Sequence, residues 1–176
     1  ALSEGAAIIN DVSALRLDPA IAAVTAQRGA GLVLMHSRGS VEKMARYEMA
    51  DYGFDVVDEI ARELQASVKI AMHAGVSTEC IVLDPGLGFS KLTEHSVTVI
   101  ARLHELVQLG YPLIVGPSRK RFVGDLGGGL PAEERLEGTI AACVSALLQG
   151  ARIFRVHDVE PVRRALAVAE AVRNAS

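Results

Sequence analysis

Asp84-Pro85-Gly86-Leu87-Gly88-Phe89 follows the apolar run Cys80-Ile81-Val82-Leu83 and puts one carboxylate at the end of what reads as a strand. The proline stiffens the turn behind it, and the two glycines let backbone come close to a ligand. A buried carboxylate offers two acceptor oxygens in one plane, which suits the guanidine-like edge of a heterocycle. An aspartate that caps or closes a turn is the competing reading. Farther along, Ser118-Arg119-Lys120-Arg121 collects three cations at a strand-to-helix junction. Arg155 and His157 stand two residues apart after the last apolar run, so in an extended chain they point the same way. A basic triplet by itself is a solvated face. Joined to Arg155-Val156-His157-Asp158 at another strand end, it reads as an anion site, with phosphate the commonest client. The five histidines (His36, His73, His95, His104 and His157) lack the two-histidine spacing with a carboxylate that a zinc helix needs. Neither a Gly-x-Ser-x-Gly elbow nor a Gly-x-x-x-x-Gly-Lys-Ser/Thr phosphate loop occurs. The residue types point to recognition of a planar heterocycle and of phosphate.

Something must hold these groups together. Five short apolar runs each close on polar residues: Ala6–Ile9 into Asn10-Asp11, Gly31–Met35 into His36, Cys80–Leu83 into Asp84, Pro112–Val115 into Gly116-Pro117-Ser118, and Ala151–Phe154 into Arg155. Short β-rich runs without alternation predict strands buried on both faces of a parallel sheet. Helical spacing fills the gaps. Phe54, Val57, Ala61, Leu64, Val68 and Met72 share one predicted face; so do Val99, Leu103 and Leu106, then Ile140, Val144 and Leu147, and last Val162, Leu166, Ala169 and Val172. Gly75, Gly110 and Gly150 fall where a left-handed helix end is wanted, and Asp18-Pro19 opens a weaker helix that stops near Gly29. Strand and helix alternate five times, which predicts an α/β fold with parallel strands and outer helices. In such folds functional groups collect at the carboxyl ends of the strands. Asn10, Asp11, Met35, His36, Asp84, Ser118, Arg119, Lys120, Arg155, His157 and Asp158 all fall there.

The chain has 176 residues, enough for one domain with a real core. Half are apolar, which argues against disorder, and the formal charge of −3 gives no general pull toward nucleic acid or anionic membrane. No apolar run spans a bilayer, and Ala1–Gly5 shows no basic segment leading into an apolar one. Cys80 and Cys143 lie far apart within apolar segments and read as thiols of a reducing, cytoplasmic setting.

Five motifs in order resemble dihydropteroate synthase of folate biosynthesis: Ile8-Ile9-Asn10-Asp11-Val12, Leu34-Met35-His36, Leu83-Asp84-Pro85-Gly86-Leu87-Gly88-Phe89-Ser90-Lys91, Gly116-Pro117-Ser118-Arg119-Lys120 and Arg155-Val156-His157-Asp158-Val159. The resemblance implies a (β/α)8 barrel that condenses dihydropterin pyrophosphate with p-aminobenzoate and releases pyrophosphate. It assigns the pterin to Asn10, Val12, Met35, Asp84, Lys120 and Arg155, the pyrophosphate to Arg155 and His157, and the p-aminobenzoate pocket to Phe89 and Arg121. Lys120, Arg155 and His157 are the expected catalytic groups. Residues 1–176 match about the last five βα units, which implies a single, N-terminally incomplete pterin-binding domain with little activity of its own. A magnesium ion belongs to the family, with its protein ligand expected in the absent part and none in this chain. The family's dimer contact through the last helices leaves a homodimer open. Two other classes compete: a folate-binding module of a methyltransferase-type barrel, which has less use for the two basic clusters, and a non-catalytic remnant.

Overall fold

The computed structural model describes residues 1–175. Five strands run parallel in the order of the chain. Strands β1 (Ile8–Asp11), β2 (Gly31–Met35) and β3 (Ile81–Asp84) form one ladder, with Ile9 opposite Leu32 and Leu34 opposite Leu83. Strands β4 (Ile114–Val115) and β5 (Ile153–Phe154) form a second. A parallel bridge from Leu83 to Leu113 joins the two ladders, and the Leu83 amide donates to the Pro112 carbonyl at 3.0 Å.

Helices occupy the crossovers: α1 (Ala20–Arg28), α2 (Val56–His73), α3 (Thr93–Ala101) with α4 (Leu103–Val107), α5 (Arg121–Leu126) with α6 (Leu136–Leu148), and α7 (Val159–Asn174) after the last strand. Parallel strands require such crossovers, and the helices bury the sheet's outer face. Asp18 Oδ1 accepts from the Ala20 amide at 3.0 Å and opens α1, and Gly29, at φ 58°, closes it. Gly75, Gly110 and Gly150 all take positive φ. Among the described residues no helix is long and apolar enough to cross a membrane.

Three expectations need correction. Strands β2 and β3 are buried, but Ile8 is 61% exposed and Ile153 40% exposed, because β1 and β5 have a neighbour on one side only. On α2 the apolar stripe is Val56, Val57, Ile60, Leu64, Val68 and Ala71. Asp55 caps this helix by accepting from the amides of Val57 and Asp58, so Phe54 stays outside it in solvent and the inward face is turned away from Met72. On α6 the fully buried positions are Thr139, Cys143, Ala146 and Leu147, and the end of α7 is exposed at Val172. The face Val99, Leu103, Leu106 is fully buried as expected, although the helix breaks at Arg102.

Candidate active site

The carboxyl ends of all five strands open on one side of the sheet. At the end of β1, Asp11 accepts from the Ser13 amide at 2.9 Å, from Ser13 Oγ at 2.8 Å and from the Leu15 amide at 2.5 Å. These bonds hold a turn in which Ala14 and Leu15 take positive φ, and they fix Val12 at its start. Ser37 Oγ donates to the Val12 carbonyl at 2.6 Å and ties this turn to the end of β2. Asp11 is therefore a scaffold residue. It leaves Asn10 and Val12 facing the opening.

Asp84 ends β3 with 1% exposure. Its Oδ1 accepts from the Gly86 amide at 2.8 Å, so the turn reading holds for one oxygen. Its Oδ2 accepts from Arg155 Nη2 at 3.1 Å, so the other is available to a cationic or guanidine-like partner. Burial pushes its pKa up, against the Gly86 amide and Arg155. Arg155 also donates from Nη1 to Asn10 Oδ1 at 3.0 Å. One guanidinium thus bridges the last strand's end to those of the first and third.

The Ser118–Arg121 segment divides its labour. Arg119 sits at φ 56° and pairs with Asp158 through two bonds of 3.1 and 2.8 Å. Its amide donates to Thr139 Oγ1, and its carbonyl accepts from Arg135 Nη1 at 2.9 Å. Arg119 is thereby a brace between α6 and the start of α7, not a ligand-facing cation. Lys120 turns inward, where burial lowers its pKa to about 8 while Asp84 opposes the shift. Its Nζ lies 3.6 Å from the centre of the Phe89 ring, a cation–π contact. Ser118 Oγ and His157 Nδ1 are 2.9 Å apart, and the His157 amide donates to the same hydroxyl at 3.1 Å.

These pieces enclose a cavity of about 320 Å³ lined by Asn10, Val12, Met35, Phe89, Gly116, Ser118, Lys120, Arg155, Val156 and His157. Seven of the nine expected site residues line it, and Asp84 lies beneath, in contact with Arg155. Arg121 is the first residue of α5 and lies outside the cavity. A larger cavity, about 760 Å³, sits among α3, α5 and α6 and is mostly apolar; none of the strand-end residues lines it. Sequence reasoning missed one feature. Lys91, read only as the last residue of a motif, is 1% exposed and lies against His36, whose other ring nitrogen meets Glu63. A lysine between Ser90 and Leu92, followed by Thr93 and Glu94, carries no signal in the sequence that it is buried.

Residues 1–157 match the model of the pterin binding enzyme family. The chain belongs to this family. Among its pterin-binding relatives, a dihydropteroate synthase of Synechocystis is 44% identical over 172 residues, which are 98% of this chain and 58% of that protein. A Mycobacterium leprae protein named inactive dihydropteroate synthase 2 is 39% identical, over 98% of this chain and 60% of its own. The crystal structure of the Thermus thermophilus dihydropteroate synthase in complex with 4-aminobenzoate superposes with a TM-score of 0.90 at 42% identity, over 97% of this chain and 65% of that one. The chain spans about three fifths of the length of these two curated relatives.

Proposed function

We propose that the chain carries the pterin and pyrophosphate subsites of a dihydropteroate synthase. One observation supports this above the rest: the Arg155 guanidinium spans Asn10 Oδ1 and Asp84 Oδ2. A guanidinium and the aminopyrimidine edge of a pterin present the same row of N–H donors, so the slot that takes one takes the other. The pterin enters by displacing Arg155, with Val12 and Met35 beside its ring and Lys120 reaching its carbonyl. The freed arginine and His157 then hold the pyrophosphate. The C–O bond to pyrophosphate breaks, its electrons leave with the phosphate, and the p-aminobenzoate amine forms the new C–N bond and loses a proton. Arg155, His157 and Lys120 oppose the charge that develops on the leaving group. Phe89, on the cavity wall, and Arg121, just outside it at the start of α5, are the groups we assign to p-aminobenzoate.

A magnesium ion, with its protein ligand expected outside this chain, would be held here by the pyrophosphate oxygens rather than by a protein cage. Among the described residues no three His, Cys, Asp or Glu side chains could hold a metal ion, and both oxygen donors of the slot accept from Arg155. The scheme above routes no step through one. The five parallel strands, with the end of β5 reaching the end of β1 through Arg155, support a partial (β/α)8 barrel. The two unpaired cysteines suit a reducing cytoplasm, and the exposed side of α7 suits a homodimer contact. The cationic trio favours a pyrophosphorylated substrate over the folate of a methyltransferase-type module.

Calorimetric titration with dihydropterin pyrophosphate tests the proposal. Saturable binding is expected even if turnover by the 176-residue chain is slight. Asp84→Asn should weaken it by about 1–3 kcal/mol through one mispaired buried bond. Arg155→Ala should cost the pyrophosphorylated pterin more than the plain pterin. Absence of binding by folded wild type, or equal losses for both pterins, would count against the assignment.

A further inference from the structure

A line of polar side chains runs behind the cavity from α2 to the loop after β3, and nothing in the proposed chemistry uses it. Arg38 bonds Glu59 and Glu63 and lies 4.1 Å from the centre of the Tyr52 ring. Glu63 Oε2 is 3.0 Å from His36 Nε2, and His36 Nδ1 is 3.0 Å from Lys91 Nζ. Lys91 also donates to the Phe89 carbonyl at 3.2 Å. The donor inventory sets the protons: an ammonium has only donors, so Nδ1 accepts and the ring hydrogen sits on Nε2, donated to Glu63. Burial, with help from Lys91, lowers the His36 pKa to about 4, which suits a neutral ring, and His36 and Arg38 hold Glu63 down at about 2.

Phe89 is where this line meets the cavity. Its carbonyl is held by Lys91 and its ring by Lys120. The loop between turns through left-handed positions: Gly86 and Gly88 take φ 68° and 72° at no steric cost, and Ser90, at φ 50°, is the residue held in an unfavourable one. A Cβ on Gly86 would stand 1.9 Å from the His36 carbonyl oxygen, so the loop is pressed against the end of β2. A non-glycine residue stays in a conformation like that of Ser90 only when outside bonds fix it. The Ser90 amide, donating to the Met44 carbonyl at 2.6 Å, supplies one. Lys91 supplies the one nearest Phe89.

We propose that Lys91 is a positioning residue: its buried ammonium, oriented by His36 and Glu63, fixes the Phe89 carbonyl and so holds the Phe89 ring against Lys120. What Lys120 and Phe89 then do rests on the synthase reading; the hold itself does not. The charged and titratable groups facing Lys91 are Asp84 and Glu63, which favour its charge, Arg38 and Lys120, which oppose it, and the His36 and Tyr52 rings beside it. Burial outweighs them and brings its pKa down to about 7.

Lysines labelled with ¹³C at the ε carbon test the hold by NMR in the substrate-free chain. Ring current from Phe89 should shift the Lys120 methylene upfield. Lys120→Arg assigns the signal, and Phe89→Leu supplies the unshifted value. In Lys91→Met with wild-type circular dichroism, most of the upfield displacement should vanish; a Lys120 signal that stays in place overturns the proposal. Should Lys91→Met fail to fold, wild type supplies the second reading. Besides the step that Lys120 itself gives near pH 8, a ¹³C-labelled Phe89 ring should show one with the midpoint of the Lys91 ε carbon, near pH 7, and a ring that lacks the Lys91 step overturns the proposal equally. Loss of dihydropterin pyrophosphate binding by wild type would sink the synthase reading while leaving the Lys120 signal to decide this one.

Discussion

Lys120 makes the proposed chemistry readable by pH. Its ammonium is half-enclosed above Phe89, and its pKa falls to about 8 because burial outweighs the attraction of Asp84. The lysine is charged below that value and loses its charge as pH rises through it. Affinity for dihydropterin pyrophosphate should therefore be highest below about pH 8 and decline above it, with the midpoint moved upward by the bound anion. Lys120→Met should lower affinity and flatten the profile between pH 7 and 9; a profile unchanged by that substitution would exclude the ammonium as a contact. Residues of this kind were legible because their type and position agree: cations and an aspartate just after apolar runs have few bland uses. Arg119 was not separable from Lys120 in the sequence. Its role depends on a left-handed backbone and on Asp158 thirty-nine residues away, which no local pattern records.

At the scale of elements, the loop after β3 is the most constrained part of the site. Gly86 combines a φ of 68° with a virtual Cβ overlapping the His36 carbonyl oxygen, and that carbonyl lies on backbone that cannot swing aside. Gly86→Ala should cost at least about 2 kcal/mol, since strain and overlap add, whereas Gly110→Ala meets only strain. Thermal melts of the two variants separate the cases, and equal losses would mean that the loop relaxes. The glycines were legible as turn residues, but the overlap was not, because it depends on β2 packing against β3. The helix stripes show the same limit. Spacing located α2 but started its stripe at Phe54, because period alone does not say where a helix begins; the Asp55 cap decides that, and with it which face turns inward.

At the scale of the whole molecule, the parallel order β1 to β5 leaves, among the described residues, an unpaired edge at each end. Both edges carry apolar side chains, with Ile8 61% and Ile153 40% exposed, and each is flanked by an apolar groove, Leu2, Ile9, Ile21 and Val24 on one side and Phe154, Val156, Val162 and Leu166 on the other. Strand count and direction were legible in the sequence, but which strands lie at the edge was not, since the short apolar runs at Ile8-Ile9 and Ile153-Phe154 carry no mark that sets them apart from the run in β2. Unpaired parallel edges recruit further strands, from another copy when nothing else covers them. The 176-residue chain should therefore self-associate with rising concentration. Ile8→Lys places a charge on one edge at a position open enough that folding stability should shift by no more than about 0.5 kcal/mol. Sedimentation velocity should then show a smaller associated fraction than wild type at matched concentration, and Ile8→Lys with Ile153→Lys a smaller one still. Association untouched by both charges would move the contact off the sheet edges and onto the exposed apolar side of α7, at Val168 and Val172, where a closed homodimer would form without strand pairing.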